Sequence, residues 1–484
     1  LVRDEVESHI QHFLGAITVK NMGRAYHPYL PHALWASAIC ASSIVAACSS
    51  SSSPAQAPST DAGASDVAIQ QGDPSDVPLN GLTADELQQF NTGDSDFDTP
   101  MYSSDGLGPL YTRDSCGSCH DNGARGPGLV QKMVVVGTDG VTPVANQNVF
   151  LPFGNTEHPL VVTSIPGVKT PILPPDFDGG LVTGIDLDGG FVPDDGGDGG
   201  GIDLGIDAGA DQLKVTIRLG PPVLGRGYME AIADSEILRM ESEQATRTDG
   251  IHGHVNHLTF VSLPNPDQTF DKNQTGDTVI GRFGLKARIA TLDEFVADAL
   301  QADMGLTSPM RPTEIPNPDG VTDDLKPGID QTADEMNVRA MYMRLLAIPN
   351  RTENAAGKAL FEQTTCNVCH AESLKTSATY PVAVLANIDA PVFTDMLLHD
   401  MGDALADGVT GGNEGQAGPR DWRTSPLIGL RFNREFLHDG RATTITDAIL
   451  QHDGTGSEAH NAVSLFKALS PTDQQTLLEF VGSL

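Results

Sequence analysis

Apolar residues return every three or four positions in several stretches of the chain, which is the spacing of a helix with one buried face. In "LTADELQQFNTGDSDF", residues 82–97, Thr83 and Glu86 have capping-box spacing ahead of Leu87 and Phe90, and predict a helix start there. Leu292, Phe295, Val296 and Leu300 predict a second helix within residues 280–305. A further capping box, Thr332 with Glu335, opens "ADEMNVRAMYMRLLAIP", which Pro349 closes; Met336, Met341 and Met343 read there as core side chains. A short helix is expected at "AAGKALFEQ". In "LSPTDQQTLLEFVGSL", Ser470 is the N-cap, Pro471 the first helical residue, and Leu477, Val481 and Leu484 share one face. Strand-like runs are few, at 129–137 and 213–220.

Those two runs flank a low-complexity insert. Between Asp176 and Asp211 stand ten Asp, twelve Gly and no Lys or Arg, which predicts a disordered acidic segment. Its "DFDGG" and "DLDGG" have the carboxylate density of a calcium loop but lack its full ligand series, so calcium stays as the second reading. The whole chain, 484 residues with a formal charge of −35, is long enough for two or three domains. Aromatic content of 5%, with 51 Gly and 32 Pro, predicts long loops around helical units rather than a large sheet. The charge argues against nucleic acid or anionic lipid as partners. It would draw a small basic partner.

The beginning of the chain reads as a processed segment. After Met22 and Arg24, the apolar run "ALWASAICASSIVAAC" is short for a membrane span but suits a signal peptide. Its last four residues resemble a bacterial lipobox, which makes Cys48 the expected lipidation site, and the Ser-rich stretch after it a flexible tether. Residues 1–21 fit neither part and read as an overlong start. The expected divisions are therefore 1–47 (upstream segment and signal), 48–78 (tether), 79–325 and 326–484. An exported protein follows, periplasmic or at the outer membrane, touching the membrane only through its anchor.

Of six cysteines, Cys40 lies in the signal, Cys48 is the lipid site, and the other four form two identical patterns. These are Cys116-Gly-Ser-Cys119-His120 and Cys366-Asn-Val-Cys369-His370. Zinc would need both distant pairs to converge on one ion, and a dithiol redox site needs a thioredoxin-like frame that the pattern lacks. Covalent haem needs two thiols spaced for two vinyl groups and an imidazole directly behind them. The motifs supply that, so two haems c are expected, with His120 and His370 as proximal ligands. Candidates for a sixth ligand are His399, Met401, His438, His452 and His460, with His158, His252, His254 and His257 earlier in the chain. A helix leading into the second motif and an apolar closing helix give residues 355–484 the pattern of a cytochrome c domain. The fold class expected is mainly α, with two cytochrome c-like haem domains, long loops and a few short β-strands in the N-terminal one.

Several ordered motifs carry a family resemblance: "DGLGPLYTRDSCGSCHDNGARG", "LGRGYMEAI", "IGRFGLKA", "FTDMLLHDMGDALADG", "RDWRTSPLIGL" and "FLHDGRATTITDAILQHDG". They resemble the bacterial di-haem, thiol oxidoreductase-like proteins, which are similar to di-haem cytochrome c peroxidases. The resemblance covers residues 79–484 apart from the acidic insert. In the related peroxidases a His-x-Gly turn is followed fourteen residues later by the sixth ligand of that haem, usually Met. Here the turn begins at His438 and the position falls on His452, so the resemblance implies His370/His452 ligation, with Met401 as rival and His438 in support. His in place of Met would lower the reduction potential.

By the same analogy the haem on Cys116, Cys119 and His120 would be the peroxidatic one. Glu230, among the apolar neighbours of "YMEAI", is its candidate acid/base, with a pKa expected to be raised by burial. Arg282 in "GRFG" is the candidate for a haem propionate. Leu285 stands where the family often has Trp, and Trp422 reads as a core residue. The implied activity is a peroxidase-like oxidoreductase, fed by a small electron-donor protein or quinol-linked cytochrome and acting on a small-molecule oxidant. A carrier cytochrome without catalysis, or an oxidase of a thiol or protein substrate, are the alternatives.

Overall fold

The computed structural model describes residues 77–120, 129–136, 212–315, 326–407 and 414–484, together with Thr156 and the two- and three-residue strands Ile69–Gln70, Leu160–Val161 and Gly180–Val182. The signal, Cys48, His158 and all of the acidic insert but Gly180–Val182 lie outside the described residues. So does any reading of calcium there. Among the described residues no helix is long and apolar enough to cross a membrane.

Helices carry most of the regular structure. α1 (Ala84–Asp98) starts at the Thr83–Glu86 capping box, with both reciprocal bonds formed. α2 (Cys116–Cys119) is a single turn. α3 (Arg226–Ala231) and α4 (Asp234–Gln244) follow the strand Gln212–Leu219. α5 (Leu292–Met304) and α6 (Ala333–Leu345) begin at Thr291 and Thr332, whose hydroxyls accept the backbone N–H of Glu294 and Glu335. α7 (Ala355–Gln363) precedes the second CxxCH motif. α8 (Ile445–Gln451), α9 (His460–Ala468) and α10 (Pro471–Ser483) complete the chain, the last capped by Ser470 as its sequence predicts.

The strands are mostly two or three residues long. The exception is the antiparallel pair Leu129–Val136 and Gln212–Leu219, in register from Leu129 opposite Leu219 to Val136 opposite Gln212; Gly180–Val182 pairs on the other side of the second strand. The two predicted strand runs are thus each other's partners. A smaller ladder, Leu398–Asp400 against Asp421–Arg423, sets His399 opposite Trp422.

The larger core draws on both halves of the chain. Phe90, Tyr228, Ile237, Leu292, Met336 and Tyr342 pack in one apolar cluster with Leu374, Val382, Ala390 and Ile428. Tyr342 of α6 meets Phe90 and Phe97 of α1 at ring separations of 5.2 and 5.1 Å. Met336 and Met343 are buried in this cluster and Met341 packs on it, as expected of core methionines. A second cluster joins α7, α9 and α10 through Phe361, Phe466, Leu477, Phe480 and Leu484. The α7–α10 crossing depends on Gly357, where a β-carbon would come within 2.4 Å of Phe480 Cβ. That bracket holds the second CxxCH turn in place.

Candidate functional site

Past α7 the chain makes a 3-10 turn over Cys366–Val368, and His370 N donates to Cys366 O at 2.9 Å. The turn projects both thiols and the imidazole into one cavity of about 230 Å³, lined also by Met401, Trp422 and His452. His452 is the C-cap residue of α8. His370 Nδ1 lies 3.2 Å from Phe393 O, and His452 Nδ1 lies 2.6 Å from Ala448 O. A carbonyl oxygen can only accept, so each Nδ1 carries the proton and each Nε2 keeps a free lone pair. Burial lowers the pKa of both rings, that of His370 to about 4, so both are neutral near pH 7. Two neutral imidazoles with available Nε2 atoms therefore face one cavity that also holds two thiols.

Of the rival histidines among the described residues, His399 and His438 line the same cavity and the others do not. His399 is buried with Nε2 2.9 Å from Asp395 Oδ2 and Nδ1 2.7 Å from Glu458 Oε2. Both of its nitrogens donate, which makes it an imidazolium with no lone pair for a metal. Burial works against that charge, and the Asp395 and Glu458 carboxylates that accept its two hydrogens favour it; its pKa is raised well above the usual value. His438 lies flat against Trp422, ring centroids 3.9 Å apart at 16°. His460 is exposed and pairs with Asp453. His252 and His257 are exposed, and the three histidines at 252, 254 and 257 do not converge. Among the described residues one group of three candidate ligand side chains lies close together, Cys369, Asp395 and His399, and its imidazole has both nitrogens occupied by carboxylates. Met401 lines the cavity and remains His452's rival.

The first CxxCH motif repeats the local geometry. Ser115 caps the α2 turn by accepting Ser118 N at 3.1 Å, and His120 N donates to Cys116 O at 2.9 Å. The His120 ring lies 6.2 Å from Phe97, and its Nδ1 is buried with no hydrogen-bond partner. Burial, with a smaller contribution from the Arg226 charge, lowers its pKa to about 4. Burial pushes the Cys116 thiol up to about 11 and Cys119 to about 12, and raises Cys366 and Cys369 as well. The four thiols are thus neutral and unpaired. Only Cys366 and Cys369 line the second cavity, so the two pairs do not converge on one tetrahedral ion.

Two expected site residues have other partners. Glu230 is buried, but its carboxylate meets Arg344 Nε at 2.6 Å, Tyr380 Oη at 2.6 Å and Leu292 N at 2.7 Å. Burial alone would raise its pKa, as its apolar sequence neighbours suggest; Arg344 and the hydrogen bonds reverse the sign and hold it below the usual value. A carboxylate kept ionised in this way is a poor proton donor. Arg282 donates to Ile232 O at 2.8 Å and to Met229 O, and pairs with Asp234, so it clasps the α3–α4 connection instead of reaching out to a propionate.

No local pattern in the chain marks the charged layer behind Trp422. Lys286 Nζ lies 4.0 Å over the indole and donates to Gly418 O at 2.7 Å and Asp421 O at 3.0 Å. Beside it Arg218 binds Asp407 at 2.6 Å and also Glu414. Asp395 and Glu458, the carboxylates that hold His399, were equally unmarked. An imidazole expected in the cavity was the one available signal for them.

Residues 207–484 match the family described as "Di-haem oxidoreductase, putative peroxidase", and the chain belongs to that family. Its haem cofactors follow from that membership. No curated protein is similar to the chain in sequence. Among solved structures, a chain of Kuenenia stuttgartiensis hydrazine synthase pressurized with xenon is similar at 13% identity and a TM-score of 0.32, covering 90% of this chain and 100% of that one. A likeness at that score carries no argument.

Proposed function

We propose that the chain is an exported c-type di-haem oxidoreductase that passes electrons from a donor protein to peroxide or a related oxidant. Cys116 and Cys119 would hold one haem through thioethers with His120 as its ligand, and Cys366 and Cys369 the other with His370. The first haem belongs to a domain at 79–325 and the second to one at 326–484. Bound haem supplies the redox chemistry, and the protein fixes ligands and excludes water.

The observation that carries this reading is the pair of imidazoles in the second cavity, each with Nδ1 tied to a carbonyl. Phe393 O and Ala448 O orient His370 and His452, so that Nε2 is the ligating atom of each. Ligation by two imidazoles suits a site that receives and forwards electrons. The doubly bound His399 adds a fixed positive charge to the same wall, and the apolar residues of α7 and α10 keep water out. Peroxide as the oxidant is supported by the family description, and the choice of the first site by the resemblance of the sequence motifs. The upstream segment supports export, with lipid attachment at Cys48.

Peroxide-dependent oxidation of a reduced small cytochrome by purified, haem-loaded protein tests the reading. Turnover that is lost in His120→Ala is expected. Two haems with electron exchange but no peroxide turnover would favour a carrier cytochrome.

A further inference from the structure

The two CxxCH sites share a wall. Leu219 ends the long strand and its N–H donates to His438 O at 2.5 Å. The next residue, Gly220, borders the first site: a β-carbon there would be in ordinary contact with His120 Cε1, 3.9 Å away. The two residues after it, Pro221 and Pro222, line the cavity of His370 and His452. A single peptide unit thus separates contact with one site from contact with the other. Arg226 folds back over this wall, its Nε donating to Pro222 O at 2.5 Å and one terminal nitrogen reaching Met229 Sδ at 2.8 Å. It is only 5% exposed and lines the second cavity.

We infer that Arg226 is a residue that sets the potentials of both sites, a buried cation held on the Gly220–Pro222 backbone that forms the wall they share. The inference rests on the two-haem reading above. A haem loses one positive charge on oxidation's reverse, reduction, so a nearby cation held out of water favours the reduced state. One arginine placed between two sites therefore raises both potentials together and leaves the difference between them nearly unchanged. Pro221 and Pro222 have no N–H and fixed φ, which keeps the wall rigid at that point.

The test is a spectroelectrochemical titration of the full chain, matured with haem, as parent and as Arg226→Gln, Arg226→Met and Arg226→Lys. Both midpoint potentials are expected to fall in the two neutral variants and to return toward the parent values in Arg226→Lys. A role limited to the hydrogen bond to Pro222 O would lower Arg226→Lys as far as Arg226→Gln, and would overturn the inference. So would potentials that do not move, or a fall at one haem only. Failure of both neutral variants to mature would also count against it, since a residue that only sets potentials is dispensable for folding. A parent protein without two haems would sink the preceding reading instead, and the two failures are told apart by the parent spectrum.

Discussion

Arg344 and Glu230, 114 positions apart in the chain, meet in a buried ion pair with Nε 2.6 Å from Oε2. The same guanidinium binds Asp293 at 2.6 Å and lies 3.8 Å over the Phe270 ring. Tyr380, from the second half of the chain, closes the cluster on the carboxylate. Glu230 therefore ties α3 to α5, α6 and the loop after the second motif. Removing one partner of such a pair leaves an uncompensated buried charge, which costs about 3–5 kcal/mol. Glu230→Gln is expected to lower stability toward denaturant by about 3 kcal/mol and to lower turnover only as far as it lowers folded protein. A loss of turnover at parental stability would restore the acid/base role.

Glu294 gives the fold a pH dependence. Burial pushes its carboxyl up to about 7, against an ordinary value of 4.5. Its hydrogen bonds from Ser262 Oγ and Ala290 N are long, at 3.2 and 3.3 Å. The unfolded chain releases this proton first, so ionisation opposes folding. The penalty is absent below the ordinary value, grows as pH rises to about 7, and is then complete at roughly 3 kcal/mol. Glu294→Gln is expected to match the parent near pH 4.5 and exceed its denaturation midpoint at pH 8. An unaltered pH slope in the variant would contradict this.

Lys286 is the ammonium sealed behind Trp422, where it donates to two carbonyls, Gly418 O and Asp421 O. Lys286→Met keeps the stem and deletes the charge. It removes the Lys286 hydrogen bond to each of Gly418 O and Asp421 O, together with a desolvated cation–π contact, so a loss of about 3 kcal/mol is expected in thermal or denaturant unfolding. A change below about 1 kcal/mol would mean that the layer is solvated.

His452 is distinguished from Met401 by substitution. His452→Met is expected to move the low-spin bands of the haem on His370 and to raise its midpoint potential, because Met/His ligation does so. Identical spectra in both redox states would assign the ligand to another side chain.

How much of this was legible depends on sequence distance. The capping boxes at Thr83 and Thr332, the Ser470–Pro471 start and the CxxCH turns are signals within five residues, and all of these local elements form. His452 stands in the second cavity, where a fixed spacing from His438 placed it. Roles set by remote partners were not legible. Glu230 looks like a lone acid among apolar neighbours until Arg344 packs on it, and Arg282 looks available until the α3–α4 turn offers carbonyls. Arg218 and Glu414, 196 positions apart, carry no local pattern at all. Periodicity reports the face a residue lies on. It does not report which charge will be brought opposite.

The central claim is that each CxxCH turn carries covalently attached haem. Intact mass and a pyridine haemochrome assay on the chain made in a host competent for c-type maturation test it most directly. Two haems per chain are expected, falling to one in Cys116→Ala/Cys119→Ala and in Cys366→Ala/Cys369→Ala separately. A mass equal to that of bare polypeptide, without a Soret band, would contradict it.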